Sequence, residues 1–335
     1  MTHDLPLIWA GLLAFAVFAY IVLDGFDLGT GILFLVERDR QDRDVMVNTI
    51  APVWDGNETW LVMGGGALFA VFPLAYSVIL PALYPVLILM LLALILRGVA
   101  FEFRAHATHF GRRGWDIAFC GGSIMAAFCQ GLTLGGIIQG IHVVGHAYAG
   151  GWWDWLNGFT LLCGVAIVIG YALLGACWLV WRTEGELHRR NRRYALRLGV
   201  VTLVLVVVVS VISPMMHPPF MHRWFTWPGL AFTSPVPVLI ALVAWQFWRS
   251  IKRGDHFLPL LCAEGLFLLC YLGIGLSFYP YLVPPSITIW AASAPASSQS
   301  FLLVGALVMI PAILMYTAFS YWTFRGKILV GDHYH

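Results

Sequence analysis

Charged residues are scarce in this chain of 335 residues: they make up 11% of it, whereas hydrophobic residues make up 60%. A soluble domain has about 25% charged residues. The composition therefore excludes an ordinary soluble fold and indicates an integral membrane protein. The net charge of +2 and the lack of a basic tail argue against a nucleic-acid partner.

Sequence motifs for covalent, nucleotide or metal chemistry are also missing. The six cysteines lie in apolar stretches without CxxC or Cys/His spacing, so we interpret them as packing residues. There is no phosphate-binding loop, nucleophile elbow or CxxCH haem-attachment motif. Residues 5–23 are apolar, but no positive region precedes them and no small-residue cleavage site follows. We therefore expect the first segment to stay as a membrane anchor.

Histidine is absent from the long apolar runs, because all eleven histidines fall in predicted connections or termini. A haem buried among helices usually needs an axial histidine. We therefore expect this chain to bind no haem and no metal of its own, and to contain no catalytic residue.

Nine apolar runs are long enough to cross a bilayer, which takes about 17–25 residues. They cover residues 7–35, 56–74, 77–100, 116–138, 157–181, 196–213, 231–249, 257–279 and 301–324. The predicted fold class is an all-α integral membrane protein, with residues 1–335 forming a single membrane domain. The break at Phe72-Pro73, between the second and third runs, is the least distinct boundary.

The distribution of basic residues orients these spans. Alternate connections, together with the C-terminus, hold 17 of the 19 lysines and arginines. The two exceptions are Arg97, within the third run, and Arg223. By the positive-inside rule the N-terminus is outside and the C-terminus is cytoplasmic.

A few ionisable residues interrupt the apolar runs, and the predicted orientation places them on the cytoplasmic side. Each costs about 2.5–3.5 kcal/mol in lipid unless it is paired or hydrated. We therefore predict a hydrated, proton-conducting entrance. Its candidate residues are Asp24, Asp27, Asp55, Arg97 and Glu264, supported by Trp54, Asn57 and Glu58.

Structural interpretations of the same residues stay open. Asp55 and Glu58 have the D-x-x-E spacing of a helix capping box. Arg97 could extend to the interface, or could pair with one of the two aspartates of the first span. Neighbouring glycines are typical of close helix packing: Gly25, Gly29, Gly31, Gly64, Gly65 and Gly66.

Several stretches resemble subunit II of the cytochrome bd-type quinol oxidases. They are LDGFDLGTG (23–31), NTIAPVWDGNETWLVMGGGALFAVFP (48–73), LRGVAFEFR (96–104), TEGELHRR (183–190) and the closing YPYLVPPS, SSQS and YTAFSYW. The short outward connection around residues 214–231 resembles the shorter, cyanide-insensitive type of subunit, and Glu264 has no certain counterpart.

The resemblance implies a fold of two four-helix bundles plus a peripheral helix. It also implies an obligate heterodimer with subunit I in the bacterial inner membrane. Subunit I would carry two b haems and one d haem, oxidise quinol and reduce O2 to water. This chain would support haem assembly and contribute to proton uptake, with Asp55 matching the acid of the family motif.

Two alternatives of other classes remain at this stage. One is a stand-alone secondary transporter or channel, and the other is a purely structural scaffold subunit. The preferred quinone, a bound quinone or lipid in this chain, and a small accessory subunit are all left open.

Overall fold

The computed structural model describes residues 4–216 and 218–328. Its helices are α1 (Leu5–Leu33), α2 (Arg40–Ile50), α3 (Trp54–Val71), α4 (Pro73–His106), α5 (His109–Ile138), α6 (Gly158–Arg182), α7 (Gly185–Met216), α8 (Pro218–Phe225), α9 (Gly229–Thr233), α10 (Pro235–Arg253), α11 (Leu258–Phe278), α12 (Ile289–Ala292) and α13 (Ala296–Thr323). Two short antiparallel hairpins pair β1 (Val143–Val144) with β2 (Ala147–Tyr148) and β3 (Tyr281–Val283) with β4 (Ile287–Thr288).

Eight helices of the described residues are long and apolar enough to cross a membrane: α1, α4, α5, α6, α7, the α9–α10 segment, α11 and α13. They indicate a multi-pass membrane protein, as the composition predicts. The second predicted span forms α3, but α3 is not among the eight. Its 18 residues are long enough, but its first turns carry Asp55, Asn57 and Glu58, which make it too polar.

The predicted spans correspond to helices with different limits. The break at Phe72 is confirmed, since α3 ends and α4 begins around it. The seventh span is divided at Ser234 between α9 and α10. The sixth span starts eleven residues earlier than predicted, at Gly185, because the arginine-rich sequence there is helical. Sequence analysis missed the polar helix α2 altogether.

Proline residues stand in the first turn of four of the long helices, where a missing N–H leaves no hydrogen bond unmade. They are Pro6, Pro73, Pro235 and Pro259. At the start of α6, Asn157 and Thr160 form a reciprocal capping box. These local signals set where several of the long helices start.

Contacts between helix termini define one end of the protein, which we call the charged end. Here Asp116 of α5 accepts hydrogen bonds from Arg104 of α4 (2.5 Å) and Arg43 of α2 (2.9 Å). Arg190 of α7 pairs with Glu37, which follows α1, at 3.2 Å. Because α1 and α4 end at this level and α5 and α7 begin there, successive helices run in opposite directions.

Glycines let α1 approach α6 closely. A Cβ added to Gly29 would lie 1.9 Å from the Tyr171 carbonyl oxygen, and one on Gly175 would lie 2.3 Å from the Gly29 carbonyl carbon. The packing role predicted for Gly29 is therefore confirmed. Gly65 and Gly66 have no neighbour within 4 Å of such a Cβ among the described residues, so their packing role stays a prediction.

The described histidines lie near the ends of helices or between them. His142, His146 and His256 are in connections, as predicted. The prediction is wrong in detail for the others, which occupy terminal turns of helices: His106, His109, His188 and His222. His3, His217, His333 and His335 lie outside the described residues.

Candidate functional site

Arg97 is the centre of a buried charge cluster. It lies in α4 with none of its surface exposed. Its Nη1 donates to Glu58 Oε1 at 2.6 Å and to Asp24 Oδ1 at 3.3 Å. The idea that Arg97 extends to the interface is therefore wrong, whereas its pairing with an aspartate of the first span is confirmed.

Asp27 takes its hydrogen bond from an amide. Asn57 Nδ2 donates to Asp27 Oδ2 at 2.6 Å, and the Tyr321 hydroxyl donates to Asn57 Oδ1 at 3.0 Å. Asp27 and Asn57 are both buried. Since Asp27 is one turn from Asp24 on α1, helices α1, α3 and α13 bring both aspartates and Tyr321 into one polar region.

Asp55 lies where this region opens to the surface. It is exposed, and its carboxylate makes no hydrogen bond or ion pair with the described residues. It borders a cavity of ≈ 60 Å³ that Asn57, Tyr321 and Ser320 also line. A cavity needs only about 10–15 Å³ of such space to hold one water molecule, so this one has room for several.

The capping-box interpretation of Asp55 and Glu58 is wrong. Val53 is the N-cap residue of α3, and no side chain caps the helix. Glu58 reaches Arg97 instead of a backbone N–H. Asp55 lies in the first turn, where a negative charge interacts favourably with the positive end of the helix dipole.

Trp54 supports the cluster from the side. Its ring stacks on Phe101 with the ring centroids 5.1 Å apart, and it lies 6.0 Å from the Arg97 guanidinium carbon. An aromatic face at this distance attracts a cation. Trp54 thus connects the start of α3 to the part of α4 that carries Arg97.

Glu264 is close to this region, although it is outside the motifs. It lies partly buried on α11 and interacts electrostatically with Tyr321 of α13 and Cys177 of α6. Its carboxylate has no hydrogen bond or ion pair with the residues that the structure describes. Asp24 and Arg97 are thus in direct contact and Asp27 is one turn away, whereas Asp55 reaches this region only through the cavity beside Asn57, and Glu264 only through its electrostatic effect on Tyr321.

The cluster contains more negative than positive groups. Asp24, Asp27 and Glu58 face the single guanidinium of Arg97, so full ionisation would leave two negative charges in excess. Several buried polar atoms also lack a hydrogen-bond partner in the described part of the chain: Asp24 Oδ2, Asp27 Oδ1, Trp60 Nε1, Arg97 Nε and Arg97 Nη2. Unpaired atoms and unbalanced charge favour bound water and bound protons at this position.

Sequence analysis missed a second group of polar residues beside the cluster. Tyr171 of α6, Gln130 of α5 and Tyr20 of α1 are linked by two hydrogen bonds of 2.7 Å each. No motif marks them, because each is a single polar residue in an apolar helix. Only helix packing brings them together.

Metal-ligand geometry is not found in the residues described. No group of three or more His, Cys, Asp or Glu side chains there could hold a metal ion. The six cysteines are free; four are buried and two are partly buried.

The fold and the site define a multi-pass helical membrane protein with a buried acid–arginine cluster that opens toward its charged end. The sequence model of the family described as cytochrome bd terminal oxidase subunit II matches residues 5–324. The chain belongs to this family and is a subunit of an oxidoreductase complex.

Relatives support this assignment over nearly the full length. The chain is 31% identical to "Cytochrome bd-I ubiquinol oxidase subunit 2" of Escherichia coli K12, covering 98% of this chain and 96% of the relative. It is also 31% identical to "Cytochrome bd ubiquinol oxidase subunit 2" of Bacillus subtilis, covering 97% and 96%. A chain in the structure of bd oxidase from Geobacillus thermodenitrificans shares the fold, with a TM-score of 0.77, 17% identity and coverage of 93% and 97%.

Proposed function

We propose that this chain is the haem-free partner of subunit I in a bd-type oxidase of the bacterial inner membrane. The heterodimer oxidises quinol and reduces O2 to water, and subunit I holds the two b haems and the d haem. Support comes from the relatives, which are named as subunit 2 of ubiquinol oxidases. The whole chain forms one membrane domain in which α3 is the ninth span, with the charged end in the cytoplasm.

The function of this chain in turnover is to deliver protons from the cytoplasm. The observation that carries this proposal is the ≈ 60 Å³ cavity beside Asp55. It joins an exposed carboxylate to Asn57, which donates to buried Asp27. Because O2 reduction consumes protons at a buried haem, protons must cross the apolar part of the complex through acids and waters.

Each residue of the proposed route has a separate task. Asp55 collects protons at the surface, and water in the cavity passes them inward. Asp24 and Asp27 exchange protons within the cluster. Arg97 stabilises the buried carboxylate of Asp24 by pairing with it. Glu264 supplies a further acid at the margin of the same region.

The first experiment tests whether the chain carries its expected partner. The tagged chain is purified mildly from its native membrane, and a reduced-minus-oxidised visible spectrum is recorded. We expect haem b and haem d bands together with a larger co-purifying subunit. A colourless chain that is stable and monodisperse by itself would contradict the proposed complex.

The second experiment tests the proton route with Asp55→Asn. We expect quinol-driven O2 consumption to fall by about tenfold or more, which corresponds to about 1.4 kcal/mol of barrier. The haem spectrum should be unchanged, because the Asp55 carboxylate makes no hydrogen bond or ion pair with the described residues. Glu102→Gln is the matched control, since Glu102 is an exposed acid on α4. Turnover of Asp55→Asn at the wild-type rate would favour the scaffold alternative, in which the buried pairs are structural.

A further inference from the structure

A directed series of hydrogen bonds crosses three helices in the membrane interior. The Tyr171 hydroxyl donates to Gln130 Oε1, and Gln130 Nε2 donates to the Tyr20 hydroxyl oxygen, each at 2.7 Å. Tyr171 is 1% exposed and Tyr20 is 4% exposed. A side-chain amide with its oxygen and nitrogen engaged in this way sets the direction of donation from α6 toward α1.

The series points to Asp24. Because Gln130 uses the oxygen of Tyr20 as an acceptor, the hydroxyl hydrogen of Tyr20 is free to point elsewhere. Tyr20 and Asp24 are four residues apart on α1 and therefore lie on the same helix face, and their side chains interact. Asp24 Oδ1 faces Arg97, whereas Asp24 Oδ2 has no hydrogen-bond partner among the residues described and is available to accept one.

We infer that Tyr20, Gln130 and Tyr171 are positioning residues for Asp24 in proton delivery. Tyr20 donates toward Asp24 Oδ2 from the membrane interior, while Arg97 holds Oδ1 on the opposite side. This inference rests on the proposed function, since it concerns how one acid of the proton route is held.

The position of the carboxylate matters because an acid that exchanges protons must keep one oxygen available in a fixed direction. Side chains that touch a functional group are commonly held by a second layer of hydrogen bonds. Gln130 and Tyr171 form such a layer, since neither makes a hydrogen bond to Asp24 in the described part of the chain. A side-chain amide also carries no titratable proton, so Gln130 orients its neighbours and does not itself relay protons.

Several charged or titratable groups surround Asp24 and contribute to its pH behaviour. They are Arg97 on α4, Glu58 on α3, Asp27 and Tyr20 on α1, Tyr171 on α6 and Tyr321 on α13. The test therefore compares Tyr20→Phe, which removes one hydroxyl from these groups, with Tyr271→Phe, which changes none of them.

The test measures the pH profile of quinol-driven O2 consumption by the purified complex. We follow the part of the profile in which the rate changes with the protonation of Asp24; this limb is identified as the one that Asp24→Asn abolishes. Tyr20→Phe removes one hydroxyl donor and no charge, so the carboxylate becomes harder to ionise. We expect this limb to move to higher pH by about one to two pH units. Gln130→Met should move it in the same direction by less, because Gln130 acts through Tyr20.

Tyr271→Phe is the matched control. Tyr271 also donates a hydroxyl to α1, at 2.9 Å, but its acceptor is the backbone oxygen of Ala14. We expect this variant to keep the wild-type profile. A purely structural role of the series would make Tyr20→Phe and Tyr271→Phe alike, with lower stability and an unmoved profile.

The outcomes separate this inference from the proposed function. If Asp24→Asn abolishes the limb but Tyr20→Phe leaves it in place, the positioning inference is overturned and the proton route stands. If Asp24→Asn keeps the wild-type rate and profile, the role of Asp24 in the proton route is overturned together with the inference. A shift with Tyr20→Phe, a smaller one with Gln130→Met and none with Tyr271→Phe supports both.

Discussion

Replacing Arg97 by methionine should destabilise the complex more than any other single change in the charge cluster. Arg97 is fully buried, and one of its nitrogens contacts both Glu58 at 2.6 Å and Asp24 at 3.3 Å. Methionine fills similar space in an apolar helix but carries no charge. The variant therefore leaves the buried carboxylate of Asp24 and the partly buried carboxylate of Glu58 without their cation.

The size of the effect follows from the burial of each partner. Breaking a buried ion pair by removing one member costs about 3–5 kcal/mol. The Asp24 side chain is 1% exposed and bears this cost fully, whereas the Glu58 side chain is 25% exposed and can be partly hydrated. We therefore expect a loss near the lower limit, about 3 kcal/mol.

The measurement is denaturant unfolding of the purified complex in detergent, followed by near-ultraviolet circular dichroism. The deficit of Arg97→Met should shrink as the pH falls, because protonation of the carboxylates removes the unpaired charges. A triple variant, Arg97→Met with Asp24→Asn and Glu58→Gln, should recover most of the lost stability, since no unpaired charge remains.

The control is Arg97→Lys, which keeps the positive charge but loses the planar guanidinium. It should lose less stability than Arg97→Met. If the triple variant is no more stable than the single one, unpaired carboxylates are not the cause of the loss. The cluster would then be held by packing, and the electrostatic account would be refuted.

Two further changes test other parts of the fold. Gly175→Ala places a Cβ 2.3 Å from the Gly29 carbonyl carbon and should cost about 1–3 kcal/mol of unfolding free energy. Gly121→Ala is the control, because its Cβ meets no atom within 4 Å and should cost nothing measurable. Equal stability of the two variants would refute the close α1–α6 contact. Asp116→Asn removes the negative charge and replaces one of the two carboxylate oxygens that accept from Arg104 and Arg43 by an NH2 group, so it should cost about 2 kcal/mol in the same assay. Glu186→Gln, at an exposed acid, is its control, and an equal effect of the two would refute the structural role of the charged end.

The positions of the long helices were predictable because apolar length is a local property of the chain. A run of about 20 apolar residues specifies a span whatever it packs against. The polar helix α2 was missed because its pattern has neither the length nor the apolarity of a span. The extension of α7 through its arginines was missed for the same reason: these residues are helical at the charged end, not in the apolar run.

The candidate site was predictable in its composition but not in its connections. Acids and an arginine in apolar helices are visible in the sequence because each is costly there. The interpretation of Asp55 and Glu58 as a helix cap failed because that spacing is common to caps and to other arrangements. Tertiary packing decided the matter by turning Glu58 toward Arg97.

The sequence by itself determined that this is a membrane protein, where its apolar helices lie and which residues are expensive to bury. Only the tertiary structure decided which of those residues meet. Asn57 joins Tyr321 to Asp27, and Asn57 and Tyr321 are 264 residues apart in the sequence. Gln130 joins Tyr171 to Tyr20, and Gln130 and Tyr20 are 110 residues apart. The physical reason is that burial follows from the composition of each segment, whereas a hydrogen bond depends on the rotation and spacing of two helices.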